Sequence, residues 1–213
     1  MPLYFWRERV RAYVGEHLGY LALVGLMFGM GIIFGALTVN NLVQAERQNL
    51  LSYLRYFLRD VHTGSVPLTG ATLAREAVWT NLRTLGFIFL LGLTAIGTPF
   101  ILLVVFTRGF VLGFTVGFLV KELLIKGFLF ALVSVVPHNL LLVPAILLAG
   151  AANLDFGVVL VRSRLSRRQV IVGQEFLTCV GISAAMLLLL VAAGLVEGFV
   201  SPVLMTWMSK YLS

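Results

Sequence analysis

Long apolar stretches alternate with short polar ones along this chain. The stretches from Leu18 to about Leu42, from Phe100 to Val120 and from Phe176 to Val196 are each close to the ~20 residues that a helix needs to cross a bilayer. A fourth apolar run, from Gly127 to Leu154, contains no acidic or basic side chain other than a histidine. Because a backbone in hydrocarbon must satisfy its own hydrogen bonds, such runs should be helical. The pattern therefore predicts an all-α, polytopic integral membrane protein.

A hydrophilic stretch from Gln44 to Arg83 interrupts this pattern. Within it, apolar residues recur at three- and four-residue spacing, which places them on one face of a helix. We expect an amphipathic helix in an outer segment, residues 43–83, that rests on the membrane or on a partner protein. A stripe that packs only against the protein's own spans is an equally open alternative. The residues that could contact a partner are Leu50, Leu54, Phe57 and Leu58.

The number of crossings depends on how the chain is divided after this stretch. In one division Leu82–Gly97 crosses once and Phe100–Val120 crosses back. In the other, Leu85–Thr107 is one span kinked at Pro99, and Gly109–Val120 is a short re-entrant piece.

Basic clusters favour the first division, because positive residues mark the cytoplasmic side of short membrane-flanking segments. Both clusters then face the cytoplasm, and an odd number of crossings must separate the outer segment from the second one. This predicts about five membrane helices, a cytoplasmic N-terminus and an outer C-terminus. It describes a single membrane domain over residues 1–213, with a basic interfacial segment at 1–16 and an outer tail at 199–213. The clusters are Arg7, Arg9 and Arg11, and Arg162, Arg164, Arg167 and Arg168.

Composition supports the membrane class and excludes others. The chain is 60% hydrophobic and 12% charged, with a mean hydropathy of +1.00, far from the globular average. Its net charge of +7 lies largely in membrane-flanking segments, so lipid is an expected partner and nucleic acid is not. Three scattered histidines and a lone Cys179, expected to be buried, predict neither a metal site nor a cofactor. We find no nucleophile elbow, phosphate loop or paired carboxylates, so we expect no enzyme.

Two prolines and two polar side chains interrupt the run from Gly127 to Leu154. Pro137-His138-Asn139 and Pro144 predict a broken helix near Pro137, and a capping role for Asn139. Arg108 lies near mid-span in the five-helix division, where a charge costs at least ~2.5–3.5 kcal/mol to insert. A broken helix and a guanidinium both need polar company in hydrocarbon. We therefore predict one intramembrane polar centre of Arg108, Pro137, His138, Asn139 and Pro144; the alternative is that Arg108 reaches the cytoplasmic interface.

Glycines spaced four residues apart predict faces on which helix backbones approach closely. Most of this packing should be within the chain, and a homo-oligomeric interface is the alternative. These glycines are Gly25, Gly29, Gly31, Gly35, Gly109, Gly113 and Gly117.

These features together resemble the stage II sporulation protein M family. The resemblance runs from about Leu21 to Pro202 and adds a C-terminal motif that contains Glu197 and Pro202. Many broader family members have a glycine after the Pro-His pair and a glutamate shortly before the second proline. This chain has Asn139 and Leu142 there, so the resemblance implies no carboxylate acting at that site.

The resemblance implies a non-enzymatic membrane scaffold in the mother-cell engulfing membrane of a sporulating bacterium. It would localise and hold two peptidoglycan-degrading partners, a lytic transglycosylase and an amidase/endopeptidase, during engulfment of the forespore. The broken helix and Arg108 suggest the alternative, a transporter or channel component.

Overall fold

The computed structural model describes residues 18–63, 70–94, 96–165 and 172–204 of the chain. The elements in these ranges are all helical, and four helices are long and apolar enough to cross a membrane. The prediction of an all-α membrane protein is therefore confirmed. The basic segment at 1–16 and residues 205–213 of the predicted tail lie outside the described residues, whereas residues 199–204 continue the last helix.

Six helices follow one another in the described residues. A 3-10 turn at Val39–Asn41 extends the first, and a π-helical turn at Val196–Val200 extends the last. The helices are α1 (Leu18–Thr38), α2 (Gln44–Thr63), α3 (Gly70–Gly92), α4 (Thr98–Ser134), α5 (Val136–Leu165) and α6 (Val172–Leu195).

Helix α5 lies at the centre of the bundle. In its most apolar stretch 67% of the residues are buried, against 22–28% in the other three candidate spans. Small residues make this possible, since Ala145, Ala149 and Gly150 let α1 and α4 approach its backbone. Exposed apolar side chains cover the outer surfaces of the other spans, as a lipid-facing surface requires.

The packing of α1 against α4 depends on glycines of both helices. A Cβ atom at Gly31 or Gly35 would overlap a carbonyl oxygen of α4, and one at Gly109 or Gly113 would overlap a carbonyl oxygen of α1. Gly117 lies beside Ala36. In the contacting pairs the residue numbers of both helices increase together, so α1 and α4 are parallel.

Gly25 and Gly29 differ from the other glycines of the predicted series. A Cβ atom at either would meet no atom of the described residues within 4 Å, so neither glycine lies at a contact between the helices described here. The physical reason is rotation, because Gly31 is offset from their face by about half a helical turn.

Helices α3 and α6 pack antiparallel through a pair of glycines that sequence reasoning missed. Gly194 faces Val78 and Gly198 faces Ala74, in each case at backbone distance. One turn further along, the Asn81 side chain donates a hydrogen bond from Nδ2 to the carbonyl oxygen of Leu190, at 3.2 Å.

The boundary between α3 and α4 follows the first of the two predicted divisions. Helix α3 ends at Gly92, a turn follows, and α4 begins at Thr98 with Pro99 in its first turn, where a proline costs no hydrogen bond. The continuous span Leu85–Thr107 is therefore wrong. Helix α3 begins already at Gly70 and includes three charged residues, so only its second half is as apolar as a span.

A sharp bend within α4 lies between two of the predicted apolar runs, the one that ends at Val120 and the one that begins at Gly127. Leu124 has φ 53° and ψ −130°, a conformation that favours glycine. Eleven residues span ~16 Å of straight helix, yet Leu119 and Phe130 belong to one buried cluster. The chain therefore turns back at Leu124. The predicted break near Pro137 is milder: α4 ends at Ser134 and α5 begins at Val136, while Val135 keeps helical torsion angles.

Candidate functional site

A cavity of about 1040 Å³ lies between α3, α4, the start of α5 and the end of α6. It occupies the half of the bundle nearer α2, which we call the α2 end; Arg162 lies at the opposite end. Apolar side chains form most of the wall. The polar residues among them include Thr80, Arg108, His138, Asn139, Glu197 and Ser201.

Arg108 reaches the cavity because Gly109, the next residue, is the one that faces α1. Gly109 abuts the Phe28 carbonyl group of α1, and successive helical residues are rotated by about 100°, so Arg108 points away from α1. Its side chain is half-buried, and Nη2 donates a long hydrogen bond of 3.4 Å to the carbonyl oxygen of Thr80. This acceptor lies on α3, outside the predicted polar centre.

Glu197 and Ser201 line the cavity from the π-helical end of α6. The close contact of Gly198 with the Ala74 backbone fixes this end of the helix against α3. The negative charge of Glu197 attracts Arg108, yet no ion pair within 4 Å joins them in the described part of the chain. Ser201 is 3% exposed.

His138 and Asn139 form a small hydrogen-bonded unit at the start of α5. Asn139 Nδ2 donates to the carbonyl oxygen of Val135 at 2.8 Å and lies 2.9 Å from His138 Nε2. Since the Val135 contact requires a donor, this atom is the amide nitrogen, and Nε2 must accept from it. The neutral imidazole then carries its proton on Nδ1. Asn139 therefore bonds backwards to a carbonyl group and does not cap the new helix.

The structure brings together only part of the predicted polar centre. Arg108, His138 and Asn139 line the cavity. Pro137 is half-buried and Pro144 is exposed within α5, so the second proline stands outside the polar group. The reason is the position of Pro144 around the helix. Leu142, two residues earlier, is buried on the face that points into the bundle, so Pro144 lies on the opposite face.

Sequence reasoning missed several cavity residues. Ser201 carried a usable signal, since it follows Glu197 by four residues and so lies on the same helical face. Thr80 contributes a backbone carbonyl group, for which no side-chain pattern exists. Arg83 stacks on Trp79, with its guanidinium carbon 4.9 Å from the ring centroid, at an exposed edge of the cavity.

A second polar group lies buried towards the Arg162 end. Asn153 Nδ2 donates to the Ala149 carbonyl oxygen at 2.8 Å and to Ser183 Oγ at 3.1 Å, and Asn153 Oδ1 accepts from Cys179 Sγ at 3.3 Å. These contacts tie α5 to α6, and Cys179 is buried as expected. No cluster of three metal-ligating side chains occurs within the described ranges.

Helix α2 is attached at its beginning to the bend of α4. Arg47 forms a two-bonded ion pair with Glu122, at 2.6 and 3.0 Å, and the Glu122 side chain is only 6% exposed. The hydrogen bonds from Arg47 to Glu122 and the charge of that carboxylate raise the pKa of the Arg47 guanidinium. Beside this pair, Lys121 Nζ donates to the carbonyl oxygen of Val39 at 2.9 Å.

The predicted apolar stripe of α2 is only partly available to a partner. Leu50 and Leu54 are half-buried, and Leu54 packs against the cluster of Leu119 and Phe130. The side chains of Phe57 and Leu58 lie outside the described residues. Two tyrosines on the neighbouring part of the helix surface, Tyr53 and Tyr56, are 73% and 67% exposed.

Comparison with known proteins gives one match. A sequence model of the family described as stage II sporulation protein M matches residues 24–202, a region that includes α2 and every cavity residue named above. No curated protein and no solved structure matches the chain significantly.

Proposed function

Because the chain belongs to the stage II sporulation protein M family, a family of sporulation-related membrane proteins, we propose that it is a non-enzymatic membrane scaffold. In this proposal it localises a lytic transglycosylase and an amidase/endopeptidase that remodel peptidoglycan during engulfment. The protein resides in the mother-cell engulfing membrane, with the α2 end on the outer side. Its partners act on the wall outside the membrane, so the surface that holds them must be at that end.

The observation that carries the proposal is the attachment of α2. Its first turn is fixed by the Arg47–Glu122 ion pair, and Leu54 packs on the bend of α4. The aromatic face of Tyr53 and Tyr56 remains exposed. Tyrosine is enriched at protein interfaces because it combines a large apolar ring with a polar tip. A helix held in place with such a face outward suits the capture of a partner domain.

Co-purification tests the scaffold. The tagged full chain, isolated from sporulating cells in mild detergent, should retain both wall hydrolases. Replacing Tyr53 and Tyr56 with serine should reduce that retention at least about fivefold, because exposed aromatic residues dominate interface energies. The control Gln174→Ala, at an exposed residue of α6 near the Arg162 end, should retain them as the unaltered chain does. Equal retention by the tyrosine variant, or no hydrolase with the unaltered chain, would contradict the proposal.

The cavity favours transport as a second candidate function. Polar and charged groups lie between membrane helices around a kinked segment, an arrangement found at transporter binding sites. Ion and solute flux into proteoliposomes distinguishes the two functions. The scaffold predicts flux no higher than in vesicles that contain Arg108→Leu protein, whereas flux that Arg108→Leu abolishes would establish transport.

A further inference from the structure

Two buried polar atoms without a partner lie in the wall of the cavity. They are His138 Nδ1 and Ser201 Oγ, for which no hydrogen-bond partner is found among the residues that the structure describes. An unsatisfied buried polar atom costs ~1–3 kcal/mol, and hydrocarbon offers it nothing. The two atoms belong to residues on different helices, α5 and the end of α6, that both line the cavity, so a polar group that enters this part of the wall would supply the missing partners.

The donors and acceptors of the wall define the charge of that group. Nδ1 of neutral His138 is a donor, and Arg108 carries only donors, of which one is engaged by Thr80. An anionic oxygen would accept from both. Glu197 supplies the opposite charge and accepts, and Ser201 Oγ can also accept. Apart from the exposed Glu76 and Arg83, the charged residues of the wall are Arg108 and Glu197, and no ion pair joins these two in the described residues, so a ligand that carries both charges can contact both of them.

The apolar part of the wall identifies the kind of molecule. Phe87, Leu103 and Val111 line the cavity, yet they are 59%, 56% and 57% exposed. On membrane-spanning helices such side chains face acyl chains. A polar recess that continues into a lipid-facing apolar surface matches a molecule with a polar head and hydrocarbon tails.

From this geometry we infer that the cavity binds the head group of a phospholipid that carries both a phosphate and a primary ammonium group. The phosphate accepts hydrogen bonds from Arg108 and His138, and the ammonium group donates to Glu197 and Ser201. The acyl chains lie along Phe87, Leu103 and Val111. The site goes beyond the scaffold function and does not depend on it, because residues of this chain alone supply the groups that the inference uses.

Native mass spectrometry of the full chain, stripped of lipid in detergent, tests this inference. Phosphatidylethanolamine should bind at least about tenfold more tightly than phosphatidylglycerol, which has the phosphate without the ammonium group. Glycerophosphoethanolamine, the same head group without acyl chains, should bind at least about a hundredfold more weakly, because each buried methylene group adds affinity. Equal binding of the two lipids would overturn the inference. If glycerophosphoethanolamine bound as tightly as phosphatidylethanolamine, the ligand would be a soluble head group and not a lipid.

Variants separate the two charges. Glu197→Gln should abolish the preference for phosphatidylethanolamine, leaving the two lipids within about twofold of each other. Arg108→Gln should weaken the binding of both lipids about tenfold, as expected for the loss of a hydrogen bond from a charged group. The controls Glu46→Gln and Arg75→Gln alter exposed residues outside the cavity wall and should bind as the unaltered chain does. Should Arg108→Gln fail to fold, Glu197→Gln decides: an unchanged preference would refute the assignment.

Discussion

The close approach of α1 and α4 predicts that one methyl group at Gly113 destabilises the protein. A Cβ atom there would overlap the Ile32 carbonyl oxygen and lie 2.7 Å from both the carbonyl carbon and Cα of Ile32. These are backbone atoms, so no side-chain rotation relieves the overlap and the two helices must separate. Gly113→Ala should therefore unfold more easily than the unaltered protein.

A matched control isolates the size of this effect. Gly25→Ala adds the same methyl group to α1 where nothing lies within 4 Å. Alanine favours a helix over glycine by ~1 kcal/mol at either site, so this gain cancels when the variants are compared. The remaining difference is the cost of overpacking, about 1–3 kcal/mol. Gly25→Ala should be neutral or slightly stabilising.

Equilibrium unfolding in mixed detergent micelles, followed by circular dichroism, measures both variants against the unaltered chain. The order of stability should be Gly25→Ala, unaltered, Gly113→Ala. Gly109→Ala, which meets the Phe28 carbonyl group, should resemble Gly113→Ala. Equal stability of Gly113→Ala and Gly25→Ala would refute the argument that α1 and α4 are in backbone contact.

Three further predictions follow from single residues. Leu124→Gly should raise stability by about 1 kcal/mol in the same unfolding assay, since glycine adopts positive φ without strain, and a loss of stability would contradict the strained bend. Asn81→Ala removes the hydrogen bond to Leu190 and should lower the free energy of unfolding by ~0.6–1.7 kcal/mol. The control Asn49→Ala, on the exposed face of α2, should leave it unchanged. Arg47→Gln should increase amide hydrogen exchange in the first two turns of α2 and leave that of α5 unchanged; unaltered exchange in α2 would show that the ion pair does not hold it.

Much of the architecture could be predicted because hydrocarbon imposes a simple rule on sequence. Apolar runs of membrane length had to be helices, and Gly97 with Pro99 indicated the end of α3 and the start of α4. The glycine spacing predicted close packing but identified no partner helix, and it could not distinguish Gly25 and Gly29, because a period of four residues does not say which face meets a neighbour. A turn between the runs that end at Val120 and begin at Gly127 was expected, but its exact position at Leu124 had no signal, since neither glycine nor proline is at that position.

The candidate site was harder to predict because its parts come from different helices. Arg108 and His138 were conspicuous as polar residues in apolar runs, and both line the cavity. Their link to Glu197 and Ser201 depends on how α6 packs on α3, through Gly194 and Gly198. Contacts between helices distant in sequence follow from tertiary packing, which a single sequence does not reveal.

The parallel pairing of α1 and α4 constrains the order in which the protein can be made. Parallel neighbours cannot be consecutive membrane segments, and here α2 and α3 are synthesised between them. When α1 enters the bilayer, the helix whose carbonyl groups will meet Gly31 and Gly35 has not left the ribosome. Helix α1 must remain in lipid without its partner helix, and the backbone contact between the two forms only after the insertion machinery has delivered α4.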